Sequence, residues 1–340
     1  MRNRSGVSQA LLWSAAGAGM LLFARAQAIR HYDFGGKVAL ITGGSRGLGL
    51  VLARHLAAEG ARVAICARED EELERARQDL QSKGAEVFAT ACDLRARDDV
   101  DRMVARVLQH YGQIDVLINN AGIISVGPFE EMTLEDFTEA MDANFWSGVY
   151  TTLAVIPEMR QRKTGRIVNI TSIGGKIAAP HLLPYSASKF ALFGFSRGLR
   201  SELMKDGIVV TTIVPGLMRT GSPRNANFKG KNRLEHTWFS IADSLPLISM
   251  DADRAARQIL NACKRGEVEL ILTTPARIAA VLDAVFPEFT GGILAIANTM
   301  LPSAGGIGQR IAKGAESESA VSPGALTTLS DRAAERNNEM

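Results

Sequence analysis

From Lys37 onward the chain alternates short apolar runs with longer amphipathic stretches, and this alternation constrains the fold more than any other feature. Val38-Ala39-Leu40-Ile41 is followed by a glycine-rich turn and then by Leu50 to Glu59, where apolar residues recur at helical spacing. An unbroken apolar run suits a strand covered on both faces, and a 3.6-residue period suits a helix packed by one face. The same reading predicts strands at Arg62 to Cys66, Glu86 to Ala91, Val116 to Asn119, Arg166 to Ile170, Val209 to Val214 and Val268 to Leu272. Amphipathic stretches separate most of them. Strands joined through helices pair in parallel, so the expected fold class is α/β, a single doubly wound parallel sheet flanked by helices.

With 340 residues, 46% of them hydrophobic, the chain can bury one substantial core. Its formal charge of +3 is spread along the chain, without a basic tract that could track phosphates, and no nucleic-acid partner is expected. The three cysteines, Cys66, Cys92 and Cys263, have no metal-ligand spacing and read as small core residues in a reducing compartment. The ends depart from this pattern. Arg2 and Arg4 precede an apolar run from Ala10 to Ala24, Arg25 and Arg30 follow, and no acidic residue occurs before Asp33. As a helix that run reaches only ~22 Å, short of the roughly 30 Å hydrocarbon core. A short signal-anchor or partly inserted helix is the preferred reading, ahead of a helix packed on the protein and of a cleaved signal peptide ending at Ala24-Arg25-Ala26. The arginines flank the run on both sides and set no orientation. The expected organisation is therefore a membrane-directed segment at 1–36, a catalytic domain at 37–275, an apolar helical extension at 276–302 and a disordered polar tail at 303–340.

The turn after the first strand reads Thr42-Gly43-Gly44-Ser45-Arg46-Gly47-Leu48-Gly49. Glycines there let the backbone bend and approach a diphosphate, whose charge is met by free amides and the helix dipole. A glycine-rich loop alone is also compatible with a tight turn holding no ligand, but its place between a strand and a helix favours a dinucleotide and a Rossmann-type sheet. The second strand ends in Cys66-Ala67-Arg68, with no acid to accept from the adenosine ribose hydroxyls. Arg46 and Arg68 could instead converge on a 2′-phosphate, which points to NADP rather than NAD. The competing reading pairs Arg68 with Glu69 or Glu72 at the surface.

Tyr185 and Lys189 are four apart in a helical stretch and share a face, where an ammonium beside a phenol would bring its pKa, ordinarily near ~10, toward working pH. Such a phenol can give a proton to a carbonyl oxygen or take one from an alcohol. Taken singly, each residue has a plainer role: a solvated helix face for Tyr185 and Lys189, a turn for Ser172, a helix cap for Asn144.

Together with the glycine turn they form a series that resembles the short-chain dehydrogenase/reductase family. The resemblance spans Lys37 to Thr274 and rests on Thr42 to Gly49, Asp93-Leu94, Asn119-Asn120-Ala121-Gly122, Asn144, Ser172, Tyr185-x3-Lys189, Pro215-Gly216 and Thr220, all in chain order. It implies hydride transfer between NADP(H) and a carbonyl or alcohol, with Tyr185 as the proton donor or acceptor. Ser172 would hold the substrate's reacting oxygen, Lys189 the nicotinamide ribose, and Asn144 a water linking the lysine to solvent. Gly43, Ser45, Arg46, Gly47, Leu48, Gly49 and Arg68 would contact the cofactor's phosphates and ribose. Asp93 and Leu94 would lie at its adenine, and Asn120, Ala121, Gly122, Pro215, Gly216 and Thr220 along its remaining length. A cofactor made and recycled in the cytosol places the catalytic domain on the cytosolic side of a membrane, or in the cytoplasm if the N-terminus is not an anchor. The resemblance allows a homo-oligomer, since family members are often dimers or tetramers, although membrane-directed ends could alter the usual interfaces. The alternative function is a non-catalytic NADP(H)-binding sensor or scaffold, a class that typically lacks the Ser172, Tyr185 and Lys189 relay.

The segment from Gly221 to Ser249 mixes Arg224, Lys229, Lys231 and Arg233 with Trp238, Phe239, Ile241 and Leu245, as expected of a mobile lid over an apolar or amphipathic substrate, and equally of a solvated loop with a few core anchors. After Pro275, Ile278, Val281, Leu282, Val285 and Phe286 recur at helical spacing, and a second apolar stretch runs from Ile293 to Leu301. That extension would cover the core or rest on a membrane. Together these features point to a lipophilic ketone or aldehyde as substrate.

Overall fold

The computed structural model describes residues 32–245, 249–319 and 327–340. The membrane-directed run from Ala10 to Ala24 lies outside the described residues. Every strand expected from the apolar runs forms: β1 (Val38–Thr42), β2 (Arg62–Ala67), β3 (Val87–Ala91), β4 (Val116–Asn119), β5 (Gly165–Ile170), β6 (Ile208–Val214) and β7 (Glu269–Ile271). They pair in parallel in the order β7-β6-β5-β4-β1-β2-β3.

Successive residues of β1 serve opposite faces, since Ala39 and Ile41 join one buried cluster while Val38 and Leu40 join the other. The first cluster is closed by α1 (Gly47–Ala58), α2 (Asp70–Ser82) and α8 (Ala252–Arg265); the second by α3 (Arg97–Tyr111), α5 (Ser147–Arg162) and α6 (Leu183–Leu203). In α8 the buried Ala252, Ala255, Ala256, Ile259, Leu260 and Cys263 recur every three or four residues, which is why this helix lies flat on the sheet. The strand order reverses between β1 and β4, and the loops beyond their carboxyl ends splay apart to leave a cleft there. All three cysteines are buried and unpaired.

Two expectations about the periphery are corrected. The segment expected as a lid is, over its described residues, a folded one, with a short 3-10 turn at Ser222–Asn225, a strand at Asn227–Phe228 and helix α7 (Asn232–Ser244), which lines the cleft through Trp238 and Phe239. Lys229, read as a solvated charge, is buried and paired with Asp136 of α4 (Leu134–Met141) at 2.5 Å. Phe228 and Phe239 form a small core of their own with Val126 and Ala226. The tail, expected to lack structure, is ordered over its described residues. Ala312–Lys313 pairs antiparallel with Asn227–Phe228, and α11 (Thr328–Arg336) packs on α7 and buries Ala333 and Ala334. Its anchors are mostly polar and far away in sequence, such as Ser330 Oγ donating to Asp243 at 3.0 Å, so no apolar period betrays them. The extension forms α9 (Thr274–Val285) and α10 (Pro287–Met300), a pair bent by 120°. Among the described residues no single helix is long and apolar enough to cross a membrane.

Candidate active site

The cleft has a volume of about 710 Å³ and takes in every residue expected at the site except Gly49. Gly49 lies behind it and makes it possible: a Cβ there would fall 2.0 Å from the Gly43 carbonyl oxygen and 2.6 Å from the Asn120 amide nitrogen. Gly43 turns the chain at φ +62°, and its missing side chain leaves room for Ala121. Asn120 donates to the carbonyls of Thr42 and Gly43 at 3.1 Å each, while the Thr42 hydroxyl accepts from the Asn120 and Ala121 amides at 3.0 and 3.1 Å. These bonds stitch the end of β1 to the end of β4. The backbone of the turn is thus held in a bend that faces the cleft at the N-terminus of α1, a shape that fits the diphosphate of a dinucleotide.

At the outer end of the cleft Arg46, Arg68 and Asp93 come together, with departures from the sequence reading. Arg46 reaches Glu72 at 2.5 Å, so Glu72 pairs with Arg46 rather than with Arg68. Asp93, expected to face adenine, is held by Arg95 at 2.7 Å, which together with the more distant Arg68 keeps its carboxyl below the usual range.

At the inner end the strand-to-turn junction after β5 presents Ser172, whose Oγ accepts from the Gly174 amide at 3.0 Å. Pro184 in the first turn of α6 suits a helix start, and the next residue, Tyr185, is hydrogen-bonded to Ser172. Gly174 is the neighbour both require: a Cβ on it would stand 3.2 Å from the Tyr185 ring and 3.4 Å from Ser172 Oγ. One helical turn on, Lys189 Nζ lies 5.8 Å from the Tyr185 ring centroid and donates to the Ile170 carbonyl at 3.1 Å.

The electrostatics differ from the simple picture of an ammonium lowering a phenol. Burial pushes the Tyr185 phenol up, and it is the hydrogen bond with Ser172 that pulls it back. Burial likewise pushes the Lys189 ammonium down, to about 8. Both groups share one desolvated pocket, where a charge on either is costly.

Asn144 does not cap a helix. It sits in a π-helical turn, Asp142–Trp146, between α4 and α5, and such an extra residue rotates a side chain off the regular helix face. Its Oδ1 accepts from the Ile123 amide at 2.8 Å, and its Nδ2 donates to the Ile123 carbonyl at 3.1 Å and to Ser188 Oγ at 2.9 Å. Gly122 fills the space between Asn144 and Lys189, since a Cβ on it would fall 2.5 Å from Asn144 Oδ1 and 3.4 Å from Lys189 Nζ. Asn144 therefore fixes the loop that floors the inner cleft.

Beyond Tyr185 the walls are apolar, with Ile123, Ile177, Leu182 and Trp238 joined by Leu294, Ala297 and Leu301 from α10 and the residue after it. Among the polar liners that sequence reasoning missed are Asp243 on α7, Lys313 and Glu339. Burial pushes Asp243 and Glu339 each up to about 7. Glu339 is the penultimate residue, and nothing in the local sequence marks it. Chemically, the inner cleft can exchange a proton with an oxygen held beside Ser172 and Tyr185.

Comparison with known proteins agrees with this geometry. The family model described as short chain dehydrogenase matches residues 37–229. A protein named as a ketoacyl reductase in Streptomyces coelicolor is 40% identical over 186 residues, which is 54% of this chain and 71% of that protein. A fatty acyl-CoA reductase of Acinetobacter baylyi is 33% identical over 281 residues, covering 82% of this chain and 89% of its own. Among solved structures, a variant actinorhodin polyketide ketoreductase with NADPH matches with a TM-score of 0.63 at 32% identity, over 70% of this chain and 95% of that one. Sheet order, a glycine turn at the switch point, and the matched span together establish that the chain belongs to the short-chain dehydrogenase/reductase family of oxidoreductases.

Proposed function

We propose that the protein is an NADP(H)-dependent reductase of a lipophilic ketone or aldehyde, acting at a membrane surface. The observation that carries the substrate class is the α9–α10 hairpin. Its inner residues Leu294 and Ala297, with Leu301 just beyond, line the cleft, while Ile278, Val281, Val285, Phe286, Phe289, Ile293, Ile296 and Met300 on its outer side are exposed. So much contiguous apolar surface is unfavourable in water, and a hairpin apolar on both sides suits a passage between a lipid phase and the cleft. The membrane-directed segment at 1–36 would anchor the chain, with the catalytic domain on the cytosolic side where the cofactor is recycled.

A bound nicotinamide would supply the hydride. Tyr185 gives its proton to the nascent alkoxide, Ser172 holds that oxygen and offsets the effect of burial on the phenol, and Lys189 would hold the nicotinamide ribose. Contact among Ser172, Tyr185 and Lys189 favours this enzyme over a binding-only sensor. The NADP preference rests on Arg46 and Arg68 with no acid at the end of β2. The names of the matched ketoacyl and fatty acyl-CoA reductases, and the NADPH in the matched ketoreductase, support acyl-chain carbonyls and the phosphorylated cofactor.

The test is to titrate the full-length protein with NADPH and NADH, assay ketones of increasing chain length, and float the protein with vesicles. Tighter NADPH binding, kcat/KM rising with chain length, and vesicle retention are expected. Equal turnover of short soluble ketones, or an NADH preference, overturns the substrate or the cofactor part respectively.

A further inference from the structure

The C-terminal residues run directly over the glycine turn. Helix α11 docks against Gly221, whose missing side chain admits Ala334, and Arg54 of α1 donates to the Arg336 carbonyl at 3.1 Å. Asn337 then accepts from the Gly47 amide at 2.9 Å and donates to the Thr220 carbonyl at 3.2 Å. Asn338 donates to the carbonyls of Ser45 and Glu72 at 2.8 and 3.0 Å, and Arg75 donates to its Oδ1 at 2.8 Å. Glu339 follows, only 7% exposed, accepting from Asn225 at 2.6 Å and lying 3.4 Å from Arg46 Nε. Its Oε1 is 2.5 Å from where a Cβ of Gly47 would be.

These contacts use what an anionic ligand of the turn would need. The Gly47 amide is already donating to the chain's own carbonyl, and Arg46 is shared between the carboxylates of Glu72 and Glu339. A buried carboxylate over the amides at a helix N-terminus stands where negative charge is favoured, and a diphosphate beside it would meet like charge in a site of low dielectric. Burial outweighs the pull of Arg46 on Glu339, so the carboxylate is held at a cost.

We propose that Asn337–Glu339 form an internal strap that competes with the cofactor's phosphates for the glycine turn, so that cofactor binding requires the strap to leave. The proposal rests on the nicotinamide-cofactor reading of the cleft. An exposed linker is not needed for such movement, since the strap is held by a handful of polar bonds that the phosphates replace in kind.

The test measures NADPH binding by calorimetry on the full chain, on Glu339→Gln and on a chain ending at Arg336. It also follows hydrogen exchange in the unaltered full-length protein with and without saturating NADPH. The truncated chain is expected to bind about tenfold more tightly and Glu339→Gln about threefold, the scale of one or two charge-assisted bonds. In the full chain the amides at 336–340 should lose protection when NADPH binds while that of Gly47 stays protected. Unchanged or weaker binding by the truncated chain, or a tail that stays protected in the saturated complex, overturns the strap. Failure of both chains to bind either nucleotide while still melting cooperatively overturns the cofactor reading itself, and the strap with it.

Discussion

The two ends of the cleft are built in different ways. At the polar end a few atoms at fixed spacing decide everything: the Thr42 hydroxyl and Asn120 amide fix the turn, and Ser172, Tyr185 and Lys189 share one buried pocket. At the apolar end Ile177 and Leu182 from one loop, Trp238 from α7 and Leu294 from α10 share the surface they form. Directional chemistry concentrates its energy in single groups, whereas apolar contact spreads it over area.

The contrast predicts effects of very different size. Tyr185→Phe removes the one tyrosine that lines the cleft among the described residues, and kcat should fall roughly a thousandfold with NADPH affinity almost unchanged. Stopped-flow hydride transfer with calorimetric binding would show it, and a loss under about tenfold would mean that proton delivery is not localised on this residue. Leu294→Ala should lower kcat/KM for a long-chain ketone by only about fivefold, from about 1 kcal/mol of lost contact. A short ketone should not notice the change; if both substrates suffer equally, α10 serves stability rather than substrate.

The smallest effect tests the border between the ends, where Asp243 is buried beneath α11 and accepts from Ser330. Its pKa is raised on folding to about 7, so its neutral form is the one that suits the fold. The stability tied to this group is present below the ordinary carboxylate range and is lost as pH rises toward 7. Asp243→Asn, which keeps an acceptor for Ser330, should therefore raise the melting temperature by a few degrees at about pH 8 and leave it nearly unchanged at about pH 4. Glu339 titrates in the same window and helps to raise Asp243, so the difference between the two proteins reports Asp243 together with its repulsion from Glu339, and repeating the pair in a Glu339→Gln background separates the two. A melting-temperature difference that does not depend on pH would show that Asp243 is ionised in the fold.

The legibility of the molecule follows the same division. The β1 run, the turn from Thr42 to Gly49 and the Tyr185–Lys189 spacing are local, so periodicity and short motifs expose them. Lys229 reads as a solvated charge because its partner Asp136 is remote in the chain. The polar tail shows no core-forming period, yet it is ordered by hydrogen bonds to Ser45, Thr220 and Asp243. Asn144 was found by resemblance, but only the π turn shows that its amide is occupied by Ile123 and Ser188. The helical spacing of Tyr185 and Lys189 was equally plain, while the balance of their charges depends on how much water the surrounding elements exclude.

By itself, then, the sequence determined the doubly wound sheet, the placement of the glycine turn between its first strand and helix and the spacing of Tyr185 and Lys189 on one helix, because each depends on residues close together in the chain. Only the tertiary structure decided that Glu72 takes Arg46, that α10 lines the cleft while it and α9 expose apolar side chains, and that residues 337–339 lie across the turn. Those outcomes depend on burial and on partners brought together by folding, and desolvation and long-range pairing leave no local signature in the order of amino acids.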